Sequence, residues 1–351
     1  MKKILKILKF TFISLLSIIL IFLIYLYISN KVFLGSTDQG NLDYLAKNNV
    51  PVTTLIDGKL FDEDFYKSKV FLLGEIHGYA DNQTLDREML FFLNKKAGIK
   101  YYIAEMDSIT ATKLNSFLLK KSKDEVILKD VVVSIAQRIP QQSSQQLFDK
   151  WNAIYDYNQK LADSLKITVL GIDKNFDDTS KGSRDLAMIS NFKNLIKKRK
   201  IENEKFYGLF GYFHTLQSQA ESGRETFAAE LKKSGIKTTS IVSYTIDSEM
   251  YLPKNPQFPT PENERVDWLN ADGPFMLVKG INDLKELSAP KAVTLFKLNA
   301  SNSPYLKSKN LISLKSRMFG ENIVPLDNLF VTDYFQYVFV LRNSEALSKL
   351  K

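Results

Sequence analysis

Short apolar runs of strand length alternate with helical stretches of ten or more residues along most of the chain, and this rhythm restricts the fold more than any other feature. Lys69-Val70-Phe71-Leu72-Leu73-Gly74 reads as a strand, after which Leu85, Met89, Leu90, Phe92 and Leu93 recur at helical spacing. Tyr101-Tyr102-Ile103-Ala104-Glu105 is a second strand. Helical patterns fill most of 108–163 around a loop at 138–144. A strand over 167–172, a helix over about 184–198, a strand over 206–211, a helix near 223–233 and a strand over 238–242 follow. Strands joined by helices of this length pair in parallel, because a tight hairpin cannot connect them. The alternation therefore predicts an α/β fold, with a largely parallel central sheet flanked by helices on both faces. Beyond Tyr244 the rhythm loosens. Pro253, Pro256, Pro259 and Pro261 punctuate a stretch near 252–263, read as a surface loop ahead of a lid, and strands recur near 275–279, 292–297 and 335–341.

One N-terminal transmembrane helix precedes this domain in the reading. Phe10 to Ile28 is uncharged and almost wholly apolar, and at about 1.5 Å per residue it covers the roughly 30 Å hydrocarbon core of a bilayer. Lys2, Lys3, Lys6 and Lys9 supply four of the nine net positive charges, so residues 1–9 form a cytoplasmic basic tail and the bulk of the chain lies outside. A cleaved signal peptide is disfavoured, because Ser29-Asn30-Lys31-Val32-Phe33-Leu34 follows rather than small residues. The expected organisation is an anchor over 10–28, a stalk with an entry strand or turn over 29–62, and a single α/β domain over 63–345. The location is then the cell membrane, single-pass, with the large domain extracytoplasmic and lipid met through one helix. The chain has no cysteine, which removes disulfides, thiolate metal sites and a thiol nucleophile. The basic run at Lys197–Lys200 ends a helical pattern and reads as a solvated last turn, so no nucleic-acid partner is expected. Neither a glycine-rich dinucleotide fingerprint nor a phosphate loop is present, which argues against a nucleotide cofactor, and the absence of Gly-x-Ser-x-Gly disfavours a serine hydrolase.

Ligands of open parallel sheets sit at the carboxyl ends of the strands. The first strand runs into Glu75 and His77, the second into Glu105, the third into Asp173 and the fourth into His214. His77 and His214 are the only histidines, and both are the fourth residue of Gly-x-x-His: Gly74-Glu75-Ile76-His77 and Gly211-Tyr212-Phe213-His214. Chance would place a glycine three residues before both about 0.2% of the time, so the pair is read as functional. Each glycine is expected to let the chain turn sharply off its strand. Glu75, His77, Glu105 and His214 form a ligand set suited to a divalent metal (Zn, Mn, Fe or Co), which would activate water. Without metal, the same groups can act as general base and acid. Both alternatives stand at this level. Arg184, opening the helix after Asp173, is a candidate for binding a carboxylate or an oxyanion, or is solvated beside a helix-start Asp185. Arg87 is a weaker candidate for orienting Glu105 or substrate.

These motifs resemble those of the superfamily joining the erythromycin esterases, the Tiki and TraB proteins and the ChaN-type haem-binding proteins. The resemblance rests on Leu73-Gly74-Glu75-Ile76-His77-Gly78, Ile103-Ala104-Glu105, Arg184-Asp185 with Met188, and Gly211-Tyr212-Phe213-His214, in order over 65–220, with a closing strand like Asp333 to Val340. It implies one α/β site in which Glu75, His77, Glu105 and His214 match the functional positions. The first motif is Glu-x-His where the esterase-like members have Glu-x-x-His, a spacing nearer the Tiki and ChaN types. What the resemblance implies is a hydrolase of an ester or amide bond, acting on a small-molecule or peptide substrate. The alternative is a haem- or iron-binding protein, with a histidine, Tyr79 or Tyr212 as axial ligand.

Overall fold

The computed structural model describes residues 2–52, 56–178, 181–255, 260–317 and 321–351. Its central sheet holds β1 (Asn49–Val52), β2 (Val70–Glu75), β3 (Tyr101–Ala104), β4 (Thr168–Gly171), β5 (Phe206–Gly211), β6 (Thr238–Ile246), β7 (Val293–Lys297) and β8 (Tyr337–Arg342). The strand order is β1-β7-β8-β6-β2-β5-β3-β4. From β8 to β4 every neighbouring pair is parallel, while β7 is antiparallel to both of its neighbours. The sheet is thus largely parallel, as the alternation predicts.

Every residue of β2 is buried, because both of its faces are covered. Val70 and Leu72 pack with Met188, Phe192, Phe206 and Phe227 on one side. Phe71 and Leu73 point the other way, into a cluster with Leu90, Leu114, Val131 and Trp151. This two-sided burial explains why the strands read as continuous apolar runs rather than alternating ones. The first face carries α7 (Arg184–Arg199) and α8 (Phe227–Lys233). The second carries α3 (Ala80–Ala97), α4 (Ser108–Leu118), α5 (Glu125–Ile135) and α6 (Gln145–Asn158). Side-chain caps set where several begin: Asp107 accepts from Thr110 N at 2.7 Å, Ser144 from Leu147 N at 3.2 Å and Ser183 from Leu186 N at 3.3 Å. Thr226 caps α8 in the same way, so that helix starts at Phe227 rather than near 223.

Residues 29–62 hold an entry strand, as expected, but fold onto the domain where a stalk was expected. They hold α2 (Gln39–Lys47), which buries Tyr44 and Leu45, and β1, which pairs along the edge of β7. Phe61 is buried in the core and stacks on Phe65 with ring centroids 4.0 Å apart. A few apolar side chains in a polar stretch suffice to fold it onto the domain, a density too low to register as periodicity. The strand expected near 275–279 is found as Met276–Val278, but it pairs with Leu314–Ser316 outside the central sheet. The proline-rich stretch is closed at its base by Met250–Tyr251 pairing with Arg265–Val266. Pro256 and Pro259 lie outside the described residues.

The N-terminal helix α1 (Lys2–Leu34) is long and apolar enough to cross a membrane, and none of its most apolar stretch is buried against the domain.

Candidate active site

Four adjacent parallel strands, β2, β5, β3 and β4, end in the candidate residues. Glu75 closes β2, Glu105 follows β3 directly, Asp173 lies two residues beyond β4, and His214 sits in a single 3-10 turn after β5. Neighbouring strands lie about 4.8 Å apart, so side chains leaving their carboxyl ends meet without any long reach. Backbone pairing between β3 and β5 stops after Tyr101↔Phe206 and Tyr102↔Tyr207. Side chains take up the N–H groups left over on β5. Tyr102 Oη accepts from Leu209 N at 3.3 Å, and Glu105 Oε2 accepts from Gly211 N at 2.7 Å. Glu105 is thereby fixed by the strand that carries the second histidine loop.

The two imidazoles converge. A Cβ placed on Gly211 would lie 3.2 Å from His77 Nε2 and 3.5 Å from His214 Cδ2, so the rings flank one point above that glycine. Gly211 has φ −54, an ordinary value, so the expected sharp turn is not its reason. Space is. At Gly74 a Cβ would collide with the Thr215 hydroxyl, the same reason at the other motif.

Each ring is backed by a carboxylate at Nδ1. His77 Nδ1 lies 2.9 Å from Glu75 Oε1, and Gln142 Nε2 donates to the same oxygen at 2.5 Å. The other oxygen, Glu75 Oε2, is buried without a partner. His214 Nδ1 lies 2.6 Å from Asp185 Oδ1, which also accepts from Phe227 N at 2.7 Å. His214 Nε2 faces Glu105 Oε1 at 3.4 Å. The Arg184 guanidinium stands 2.7 Å from that same Glu105 oxygen and grips Asp173, with Nε 2.9 and 3.0 Å from its two oxygens and a closer contact from Nη2 to Oδ2.

These contacts set the charges. Burial works against a charge on His214, but Glu105 and Asp185 outweigh it and push its pKa up to about 9. For His77, burial is likewise overcome by Glu75, with Glu105 adding to it, and the pKa rises above its usual value. Burial would lift Glu105, yet His214, Arg184 and His77 hold it well below the carboxylate range. Burial lowers the Arg184 pKa, but Asp173 and Glu105 raise it on balance, so the guanidinium stays charged.

The structure therefore brings Glu75, His77, Glu105, Asp173, Arg184 and His214 into one cluster. Other candidate residues are placed elsewhere. Arg87 contacts Glu88 at 2.8 Å and lines a hollow with Val52 and Val293, because the preceding Asp86 is the residue turned to the sheet, bonded to Tyr102 and Tyr207. Tyr79 is fully buried and donates to Leu269 O at 2.7 Å, and Tyr212 pairs with Tyr244 at 2.7 Å. The metal set Glu75, His77, Glu105 and His214 does not fit: among the described residues no three His, Asp or Glu side chains are arranged to hold an ion. Arg184 already occupies the face of Glu105, and His214 Nε2 is turned to that carboxylate, which leaves His77 Nε2 as the one uncommitted ring nitrogen. Gln142 escapes sequence reasoning, because it sits in a loop with no motif. Asp185, read beside Arg184 only as a helix-start residue, is the partner of His214.

A hollow of about 530 Å³, lined by Ser108, Asp173, Lys174, Asn175, Asn191 and Lys198 among others, opens on the Asp173 side of the cluster.

No family model matches the sequence, and no curated protein does. Solved structures do match. A histidine-to-asparagine variant of the erythromycin esterase EreC, in its open conformation, superposes with a TM-score of 0.57 at 10% identity, over 82% of this chain and 95% of that one. The fold is that of an erythromycin esterase. A Bacillus cereus protein gives a TM-score of 0.63 at 12% identity, over 90% of this chain and 100% of its own. A succinoglycan biosynthesis protein gives 0.58 at 11%, over 90% and 99%. The resemblance read from the two Gly-x-x-His motifs thus extends to the whole esterase-type architecture.

Proposed function

We propose that this chain hydrolyses an ester or amide bond while held in a membrane by α1, with the α/β domain on the extracytoplasmic side. The observation that carries the reading is the pair of imidazoles flanking one point above Gly211, each with a carboxylate on Nδ1. A proton on His77 Nδ1, given to Glu75, leaves Nε2 with a free lone pair. His77 is also the more open ring, with 22% of its side chain accessible. It is therefore the general base that takes a proton from water as the oxygen attacks the carbonyl carbon. His214 stays protonated up to about pH 9. Together with Arg184 it stabilises the developing oxyanion, and its Nε2 proton passes to the leaving oxygen or nitrogen as the tetrahedral intermediate collapses. Glu105 holds both cations in place. Asp173 positions Arg184.

The esterase-type fold supports the reaction class, and the ester or amide of a small molecule or peptide is the substrate class proposed. The four lysines ahead of the apolar helix support the orientation. A panel of activated esters and peptide anilides, assayed on the full chain in detergent, tests the assignment. His77→Ala and His214→Ala are each expected to lower kcat/KM by roughly 100-fold or more, with both variants still folded by circular dichroism below their melting temperatures. Turnover retained in both variants refutes it.

A further inference from the structure

The last turns of α1 are docked on the domain rather than hinged away from it. Arg317 donates to Ser29 Oγ at 2.8 Å and to Asn30 Oδ1 at 2.9 Å, Asn30 Nδ2 donates to Pro274 O at 2.9 Å, and Gly280 N donates to Leu34 O at 2.9 Å. Beside this joint runs a groove of about 490 Å³, lined by Val32 and Phe33 of α1 and by Lys279, Lys315, Ile323 and Val324 of the domain. Val32 is 76% exposed and Val324 46%. The charged groups on the groove are ammonium ends alone: among the described residues no aspartate or glutamate lines it. Lys315 Nζ stands 5.7 Å over the Phe33 ring.

The height of the groove follows from helix geometry. Val32 and Phe33 lie four and five residues past Ile28, the end of the uncharged run. At about 1.5 Å per residue, that places them roughly 6–8 Å beyond the apolar segment. A bilayer of about 40–45 Å with a core of about 30 Å has a headgroup layer of roughly 5–8 Å on each side. An apolar wall with two ammonium groups at that depth matches a molecule whose acyl chain begins where its phosphate ends. We propose that this groove binds a phospholipid with an anionic headgroup from the outer leaflet. Its phosphate pairs with Lys279 and Lys315, and the first methylenes of a chain lie against Val32, Phe33 and Val324. The inference rests on reading α1 as a membrane span, and it is independent of the hydrolytic chemistry.

The test uses the full chain. Fractionation is read first, and recovery without detergent in the soluble fraction overturns the span and this inference with it. For protein recovered in the membrane and purified in mild detergent, retention of phosphatidylglycerol and phosphatidylcholine is compared by native mass spectrometry, with inorganic phosphate as competitor. Phosphatidylglycerol is expected to be held in preference, and Lys279→Gln and Lys315→Gln are each expected to cut that preference roughly fivefold. Equal retention of both lipids by the unmodified protein overturns the proposal alone. So does a preference untouched in both variants, or displacement by phosphate, which marks a free-anion site.

Discussion

His214 is 5% exposed and faces two carboxylates, whereas His77 keeps part of its ring open and is bonded to one. That asymmetry divides the labour between the two imidazoles, and it also couples folding to pH. The His214 pKa rises from 6.5 to about 9 on folding. A raised value means that its contribution to stability is complete below pH 6.5 and is lost as pH climbs through about 9. The size is on the order of 3 kcal/mol. Glu105 has the opposite sign, since its depressed value gives stability that disappears only in strong acid. Urea unfolding of the full chain is therefore expected to show stability declining between pH 6.5 and pH 9. In His214→Gln the decline over the same window should be much smaller, leaving only the part that His77 contributes. A level curve in the unmodified protein sinks the charge assigned to His214.

Among the elements, the first turn of α7 does the most to assemble the site. Arg184 and Asp185 are consecutive, and successive helical side chains diverge by about 100°. They consequently aim at different partners, Arg184 at Glu105 and Asp173, Asp185 at His214 and at the first N–H of α8. One helix end thus ties β3, β4, the His214 turn and α8 together. Asp185→Asn keeps an oxygen for Phe227 N but removes the charge that favours imidazolium. The His214 pKa is expected to fall, so the alkaline limb of the pH–rate profile moves down from about 9. Stability should drop by roughly 1–3 kcal/mol. An unchanged limb, measured as kcat/KM against pH, makes Asp185 a purely structural partner of α8.

At the scale of the whole molecule, α1 gives way to the folded domain at Gly35 rather than near Asp62. Tyr44, Leu45 and Phe61 are buried, and β1 covers the edge of β7. Each such side chain contributes roughly 1.5–3 kcal/mol, against a net stability of about 5–15 kcal/mol for a domain. A chain beginning at residue 36 is expected to melt cooperatively by circular dichroism, and one beginning at residue 63 to lack a cooperative transition. Equal melting of the two would show that residues 36–62 are dispensable, as a stalk would be.

Residue order alone yields the parallel sheet, its two helical faces and the strand ends bearing Glu75, His77, Glu105, Asp173 and His214, because periodicity and crossover length are local properties of a chain. The Gly-x-x-His pair is legible for the same reason. What only the tertiary structure decides is partnership: Asp185 rather than solvent for His214, Gln142 for Glu75, and Asp173 together with Glu105 for Arg184. It also turns Arg87, Tyr79 and Tyr212 away from the cluster and folds residues 36–62 onto the domain. Those outcomes depend on strand order and on the rotation of each helix about its axis. Contacts across the sheet settle both, and no stretch of sequence carries them by itself.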